Sequence, residues 1–432
     1  MNVKSIIQAG IEYIEENLAT SIEAAELAKE AGFSVYHYYR LFQNATGFPV
    51  MQFILRRRLL HGVYAISQGM TAADAALRFG FDTYAGFYKA FRREFGLTAT
   101  EYIKAGRAKR PLKINLFREE HMEISKKKAA QILTNWQLSH LDISDFYYEG
   151  TRNRNENACY VGQEYVLKYT VNLGRMKANI ALAKAMDEVG MRCAAVIPTQ
   201  NGEDYVQDGE IYFCLTRRLP GKQMTSASLM DQCDAENGRL VGELLGQLHK
   251  ALIKMGAPVE EPDLLKTLKE WAIPQSSAIL GLEDEFGMEM LGKMEKLLPI
   301  LPRQLIHRDP NPGNIIGNGK QWGFIDFELA EKNIRIFDPV YASTAVLSEI
   351  YDPKHPEICE KWLKVYQNIA CGYDSVSALS EAEKQAYPYV LLANQMICVA
   401  WFSGQDKYPE AFERNKGMTH WLIRNFSRLG IE

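Results

Sequence analysis

The chain has 432 residues, 47% apolar and 24% charged, with a net charge of −3 and seven cysteines. That length calls for two or three domains, and that composition describes a soluble globular protein with ample core. No run of about 18 apolar residues marks a membrane span, the start lacks the apolar core of a secretory signal, and an odd, scattered cysteine set with no Cys-x-x-Cys pair fits reduced thiols in a cytoplasmic protein rather than a disulfide framework or zinc site.

Charge is unevenly spread. Residues 1–110 carry 14 Lys and Arg against 10 Asp and Glu, whereas the remainder carries 36 against 43. A basic end on an acidic body is compatible with a nucleic-acid partner for the N-terminal part. That part is a degenerate repeat: Gly32-Phe33-Ser34 recurs as Gly80-Phe81-Asp82, Phe42 and Gly47 as Phe91 and Gly96, and Phe53-Ile54 as Tyr102-Ile103. Each copy reads as two short helices around a glycine turn. Thr20 with Glu23, and Thr71 with Asp74, have capping-box spacing ahead of the first helix of each pair. Gly32 and Gly80 suit a left-handed helix end, and Ser34 and Asp82 or Thr83 suit the next N-cap. The grammar is helix-turn-helix, stated twice.

Over residues 8–107 this pattern resembles the DNA-binding domain of AraC-type transcription regulators. The resemblance implies an all-α double helix-turn-helix domain binding double-stranded DNA. Residues 34–45 and 83–94 would be the reading helices, joined by a long helix around Gln52 to Ile66. Periodicity turns Tyr38, Leu41, Phe42, Phe87 and Phe91 inward. It turns Val35, Tyr36, Tyr39 and Arg40 outward on the first reading helix, and Thr83, Tyr84, Tyr88 and Lys89 on the second. Arg92 and Arg93 are candidate phosphate contacts. Arg56-Arg57-Arg58 reads as a solvated helix face. The aromatic outer face suits contact with thymine methyls better than bidentate base recognition. Residues 1–107 are thus assigned as the DNA-binding domain and 108–128 as a linker.

Beyond a helical stretch over 123–137, strand patterns appear at Phe146 to Gly150, Ala158 to Gly162 and Glu164 to Thr170. A helix is predicted over Arg175 to Val189, and a strand over Tyr212 to Leu215. A further helix carries Gly242-Glu243-Leu244-Leu245-Gly246-Gln247-Leu248-His249. Then comes Leu305-Ile306-His307-Arg308-Asp309-Pro310-Asn311-Pro312-Gly313-Asn314, followed by Phe324-Ile325-Asp326-Phe327-Glu328. Phosphoryl transfer needs positioning and charge neutralisation more than covalent chemistry. A carboxylate must take the proton of the acceptor hydroxyl, and Asp309 fits. Hard oxygen ligands must hold Mg2+ against nucleotide phosphates, and Asn314 and Asp326 fit. Asp, then Asn five residues on, then Asp-Phe is the order of a kinase catalytic loop and metal loop.

His307, Asp309, Asn314 and Asp326 resemble the motif positions of the aminoglycoside phosphotransferase and choline kinase superfamily. The resemblance implies an α+β bilobal protein kinase-like domain over 129–432. Its small, mostly antiparallel β-sheet lobe would be 129–219 and its large helical lobe 220–432. It also implies Mg2+ and a nucleoside triphosphate, ATP or GTP, as phosphoryl donor. Gly150 and Asn153 would sit in the phosphate-covering turn, Lys168 on the nucleotide phosphates, and Thr216 to Leu219 against the adenine. His307 would brace the catalytic loop, with His249 and Asp338 structural. The helix glutamate expected to pair with Lys168 falls at Asn179, whose amide cannot neutralise a lysine.

Aromatics and carboxylates beyond 340 (Tyr341, Tyr351, Trp362, Tyr366, Trp401, Phe402, Trp421, Glu349, Asp352, Asp406) would serve both core and a cationic small-molecule acceptor. The leading reading is a DNA-binding regulator fused to a small-molecule phosphotransferase. The other is a regulator whose kinase-like body only senses a ligand. No membrane partner is expected, and the regulator half leaves room for a homodimer.

Overall fold

The computed structural model describes residues 3–111, 113–116, 124–149, 152–188, 191–231, 234–253, 259–319, 321–405 and 408–431. Gly150, Val189 and Asp406, named above, lie outside them. The contacts divide the chain into two compact units: 1–148 with 152–171 and 197–217, and 149–151 with 172–196 and 218–432. Among the described residues no helix is long and apolar enough to cross a membrane.

The first unit opens with α1 (Val3–Glu16), α2 (Ala24–Glu30), α3 (Val35–Thr46), α4 (Val50–Ser67), α5 (Ala72–Arg78), α6 (Tyr84–Phe95) and α7 (Ala99–Lys104). Ser34 caps α3 and Thr83 caps α6, each accepting a backbone N–H of the first turn. Gly32 and Gly80 take the positive φ (73° and 76°) of the two turns. The N-cap of α2 is Glu23, with no side-chain cap bond, and Thr20 instead donates to Asn17 O, so the predicted box at Thr20 does not form. The expected core residues Tyr38, Phe42, Phe87 and Phe91 are fully buried. Gly62 lets α4 pass close under Phe87, because a Cβ there would lie 2.7 Å from that ring.

Two sequence expectations need correction. Arg56 and Arg57 are 6% and 7% exposed rather than solvated. Arg57 pairs with Glu15, and Arg56 with Glu94 at 2.7 Å and Asp145 at 3.5 Å. A buried cation is tolerated only with such partners, and tertiary structure brings them from other elements. The stretch after α7 is also no free tether throughout. Ile114 and Leu116 are buried in the first helix-turn-helix core, and the Gln8 side chain bonds both their backbones.

The same unit continues with α8 (Lys126–Leu133) and an antiparallel sheet ordered β1 (Ile143–Tyr147), β2 (Arg154–Val161), β3 (Tyr165–Thr170) and, after the two compact intervening strands, β6 (Ile211–Arg217). Those strands are β4 (Val196–Ile197) and β5 (Val206–Asp208), and β5 pairs with β6. One sheet face buries Cys159, Leu167, Tyr169, Phe213 and Leu215 under α8 and Trp136. The other carries Phe146, Ala158 and Val166.

The second unit holds α9 (Leu173–Glu188), β7 (Lys222–Gln223), α10 (Ser226–Leu229), α11 (Asp234–Leu252), α12 (Leu264–Thr267), α13 (Ile273–Leu280) and α14 (Asp284–Leu297). It continues through β8 (Arg303–Ile306), β9 (Ile315–Gly317), β10 (Trp322–Phe324) and β11 (Glu331–Ile334). The last helices are α15 (Phe337–Ile350), α16 (Pro356–Val376), α17 (Glu381–Ser403) and α18 (Pro409–Arg424). Strand β9 pairs with β10 as a hairpin, and β8 pairs with β11. Tyr366, Tyr373, Tyr387 and Trp362 lie fully inside the large core, so these aromatics are packing residues.

Helices α11 and α16 pack backbone to backbone. A Cβ on Gly242 would meet Ile369 O at 2.0 Å, and one on Gly372 would meet Arg239 O at 2.1 Å. Backbone atoms cannot swing aside, so Gly242→Ala should destabilise the chain by about 1–3 kcal/mol or more, read as a lowered denaturation midpoint at unchanged m-value.

Candidate active site and DNA-reading surface

Strand β8 delivers His307, Arg308 and Asp309 at its C-terminal end. The turn they make is held by Asp338, on the first turn of α15. Its carboxylate has no exposed surface and accepts the backbone N–H of His307 and of Arg308, each at 2.8 Å. It also accepts His249 Nε2–H at 2.9 Å, while Tyr373 O–H donates to His249 Nδ1 at 2.7 Å. Burial by itself raises the Asp338 carboxyl. The hydrogen bonds from the His249 ring and the His307 amide offset it and hold the group below the usual carboxylate range. Arg308 sits at φ 73°, a left-handed conformation that costs a non-glycine residue free energy and must be held by its surroundings. Its guanidinium lies 4.1 Å over the Phe337 ring and pairs with Glu331 at 2.9 Å.

His307 is buried. Its Nε2 is 3.0 Å from Ile325 O, and its Nδ1 accepts the Asp309 N–H at 3.4 Å. One imidazole thus spans the Asp309 turn and the turn that holds Asp326. The β9–β10 hairpin closes the same gap from the other side, since Ile325 N donates to Asn314 O at 3.0 Å. Asn314, the residue before β9, and Asp326, two residues after β10, are therefore brought to one end of the hairpin.

Asp309 is half-buried. Asn311 Nδ2 donates to its Oδ1 at 2.9 Å, and Asn314 Nδ2 to its Oδ2 at 3.2 Å and its main-chain O at 2.9 Å. The Tyr341 hydroxyl is a third donor. Desolvation is the largest influence and raises the Asp309 carboxyl above the ordinary aspartate range, against the lowering effect of the bonds from Asn311 and Tyr341. Asn314 Oδ1 is buried without any hydrogen-bond partner. A buried amide oxygen left bare is costly unless a ligand satisfies it. Asn314 and Asp326 thus offer one amide and one carboxylate oxygen, a donor set that fits a hard divalent cation sharing its remaining ligands with phosphate. Asp326 is itself at φ 69°.

Helix α9 locks this turn. The Asn179 side chain is buried and its Oδ1 accepts the Phe327 N–H at 3.2 Å. Sequence reasoning aimed that oxygen at Lys168; in the structure it serves the backbone next to Asp326. Asp309, Arg308, Glu331, Tyr341, Glu260 and Trp401 are among the residues lining a cavity of about 800 Å3. Sequence analysis gave no role to Asn311, Arg308 or Glu331. Asn311, two residues past Asp309 in a Pro-Asn-Pro turn, was the one with a readable signal.

In the first unit, Lys168 on β3 is buried and pairs across with Ala158 and Cys214; Thr216 pairs with Val166. Lys168 and Thr216 therefore share the face that carries Val166, by strand alternation. Thr216 lies within β6 rather than beyond its end, and its hydroxyl donates to Val166 O at 3.4 Å. Asn153 O accepts Tyr148 N–H at 2.9 Å at the β1–β2 turn, and Leu219 is buried in the second unit.

On the reading helices Val35, Tyr36 and Tyr84 are 45%, 79% and 41% exposed. Arg40, Lys89 and Arg92 are exposed too. Tyr39 and Tyr88 are only half-buried, and Tyr39 packs against the first core. The Thr83 hydroxyl is spent on the Gly86 N–H.

The fold and these sites define a helix-turn-helix DNA-binding domain fused to a kinase-like phosphoryl-transfer fold. The model of the phosphotransferase enzyme family matches residues 154–376, more than half of the chain, which therefore belongs to that family; a helix-turn-helix domain model matches residues 27–105, the AraC-type regulator domain. The N-terminal part is 30% identical over 103 residues to the regulatory protein SoxS of Salmonella typhimurium, covering 24% of this chain and 96% of that one. The fold is similar to that of a microcompartment-associated aminopropanol kinase (TM-score 0.51, 14% identity, 70% of this chain and 96% of that one). It is similar to the same degree to APH(2")-IIia in its GDP and kanamycin complex (0.51, 13% identity, 69% and 99%).

Removing one partner of the buried His249–Asp338 pair strands the other and two amides. Asp338→Ala should cost about 3–5 kcal/mol of stability, measured by urea denaturation. Because the Asp338 carboxyl titrates low when folded, its contribution stands above the unfolded-state value and is lost as pH falls through the folded one.

Proposed function

We propose that the body transfers the terminal phosphoryl group of ATP or GTP to a hydroxyl of a small cationic acceptor, such as an amino sugar or amino alcohol, and that the N-terminal domain ties this to transcription control. The observation that carries the reading is the Asp309 carboxylate, half-buried and oriented by Asn311, Asn314 and Tyr341 at the wall of a cavity large enough for such a ligand. Asp309 would accept the acceptor's hydroxyl proton as its oxygen attacks phosphorus. Its raised affinity for a proton suits a general base. Lys168 would hold phosphate oxygens. Asn314 Oδ1 and Asp326 would hold Mg2+, which when bound neutralises phosphate charge. Glu260, Glu331 and Trp401 on the cavity wall would favour a cation. Thr216 and Leu219 would flank the base, and Asn153 the phosphates.

One observation favours the alternative, a catalytically weak nucleotide or ligand sensor. Asn179, at the position the family resemblance gives to a glutamate, is an amide whose oxygen serves the Phe327 N–H.

The test is Mg2+ with ATP or GTP against a panel of amino sugars and amino alcohols. Asp309→Ala should lower turnover by orders of magnitude and leave nucleotide binding nearly intact, whereas Asp326→Ala should abolish Mg2+-dependent nucleotide binding. In the parent chain the acid limb of kcat/KM should lie above the ordinary carboxylate range, since a base that holds its proton more tightly is lost at higher pH as pH falls. Unchanged turnover in Asp309→Ala overturns the mechanism, and nucleotide binding without turnover across the panel selects the sensor.

For the N-terminal domain, Arg92→Ala should weaken binding to all duplexes alike and flatten the salt dependence by roughly one in log–log slope. Tyr36→Ala or Tyr84→Ala should change preference among sites more than slope. Filter binding over a salt series reads both.

A further inference from the structure

Strand β1 belongs to two functional surfaces at once. Phe146 packs with Ala158 and Val166 on the sheet face that carries Lys168 and Thr216. Its neighbours Asp145 and Tyr147 turn to the helix-turn-helix half instead, with a register shift between them. Tyr147 is buried in the core of the second helix-turn-helix, beside Leu59, Val63, Phe87, Phe91 and Tyr102. Its hydroxyl shares a 2.9 Å hydrogen bond with Tyr102, and the Arg107 guanidinium lies 4.1 Å over its ring. Asp145 receives Arg56 of the long helix α4 at 3.5 Å and Arg154 of β2 at 3.7 Å. Arg56 in turn holds Glu94 of reading helix α6 at 2.7 Å. All of these residues lie in one compact unit.

The chain of contacts from α6 to Lys168 is therefore continuous and packed. Glu94 lies beside Arg92 and Arg93 in the last turn of α6. Arg56 joins it to Asp145; Asp145 pairs with Cys159, and Cys159 with Leu167, the neighbour of Lys168. Buried ion pairs and close-packed aromatics have discrete arrangements rather than soft ones. A ligand on either end that prefers one arrangement must bias the other end by the same factor.

We propose that Asp145 and Tyr147 of β1, docked on Arg56 and Tyr102, form an interface that couples nucleotide binding to DNA binding. The inference rests on the reading of Lys168 and its sheet face as a nucleotide site. It adds that this occupancy reports to the reading helices through contacts within the one chain.

The experiment uses the full chain, a fluorescein-labelled duplex selected on that chain from a random pool, and Mg2+ with a non-hydrolysable ATP or GTP analogue. DNA affinity is measured with and without saturating analogue, and analogue affinity with and without duplex. The two ratios should agree and depart from one by about fivefold or more. The double variant Asp145→Asn with Tyr147→Phe removes the carboxylate charge and the phenol hydroxyl but keeps shape. It should bring the ratio close to one while leaving each separate affinity within about twofold, below the scale of ordinary allosteric coupling.

A ratio of one in the parent chain, with both ligands bound, overturns the proposal and leaves the functional reading standing; this outcome does not depend on the variant folding. A ratio unchanged in a folded double variant also overturns it, since the coupling then runs elsewhere. Failure of the parent chain to bind any analogue overturns the nucleotide reading and the proposal with it.

Discussion

Three donors converge on the carboxylate of Asp338: the amides of His307 and Arg308, and the His249 ring. Everything at the candidate active site hangs from this contact. It holds Arg308 in a left-handed conformation, and that conformation turns the chain so that Asp309 faces the cavity rather than the core. Asp338 can do this because α15 and α11, each anchored by large apolar packing, meet there with Tyr373 behind His249. A buried carboxylate held by three donors is a rigid support. The strain at Arg308 is offset by bonds made elsewhere, the usual condition for keeping an unfavourable backbone at a working site.

The second requirement is that two distant oxygens come together without a strong attraction of their own. The β9–β10 hairpin and His307 both close that gap, one by strand pairing and one by bridging Asp309 N to Ile325 O. Asn179 then fixes the turn after Asp326 from α9. The Asn314 oxygen is left without a partner by this network, and a bare buried amide oxygen beside a carboxylate fits a hard cation.

The regulator half obeys the same rule with cations. Arg56 and Arg57 are buried and each finds carboxylates, Arg56 from α6 and β1 and Arg57 from α1. The long helix α4 thus does more than space two helix-turn-helix units. It carries the charge that joins the second helix-turn-helix to the sheet, while Arg40, Lys89 and Arg92 remain open to solvent.

Local features were legible in the residues themselves. Ser34 and Thr83 cap their helices because a hydroxyl next to the first turn finds an orphan amide whatever the fold. Gly32 and Gly80 supply positive φ because no other residue does so as cheaply. The order Asp309, Asn314, Asp326 pointed to the phosphotransferase family, which the match over residues 154–376 bears out, because phosphoryl transfer needs few and particular groups. The rest depended on partners that sequence cannot rank. The acid that meets Arg56 from β1 lies 89 residues away, and the amide that takes Asn179 lies 148 away. Glu23 rather than Thr20 heads α2, and Ile114 and Leu116 fold back on the first core. Spacing along the chain sets which neighbours meet within one helical turn or strand pair. Which distant charge or amide fills a buried position is decided only when packing excludes water and leaves one partner within reach.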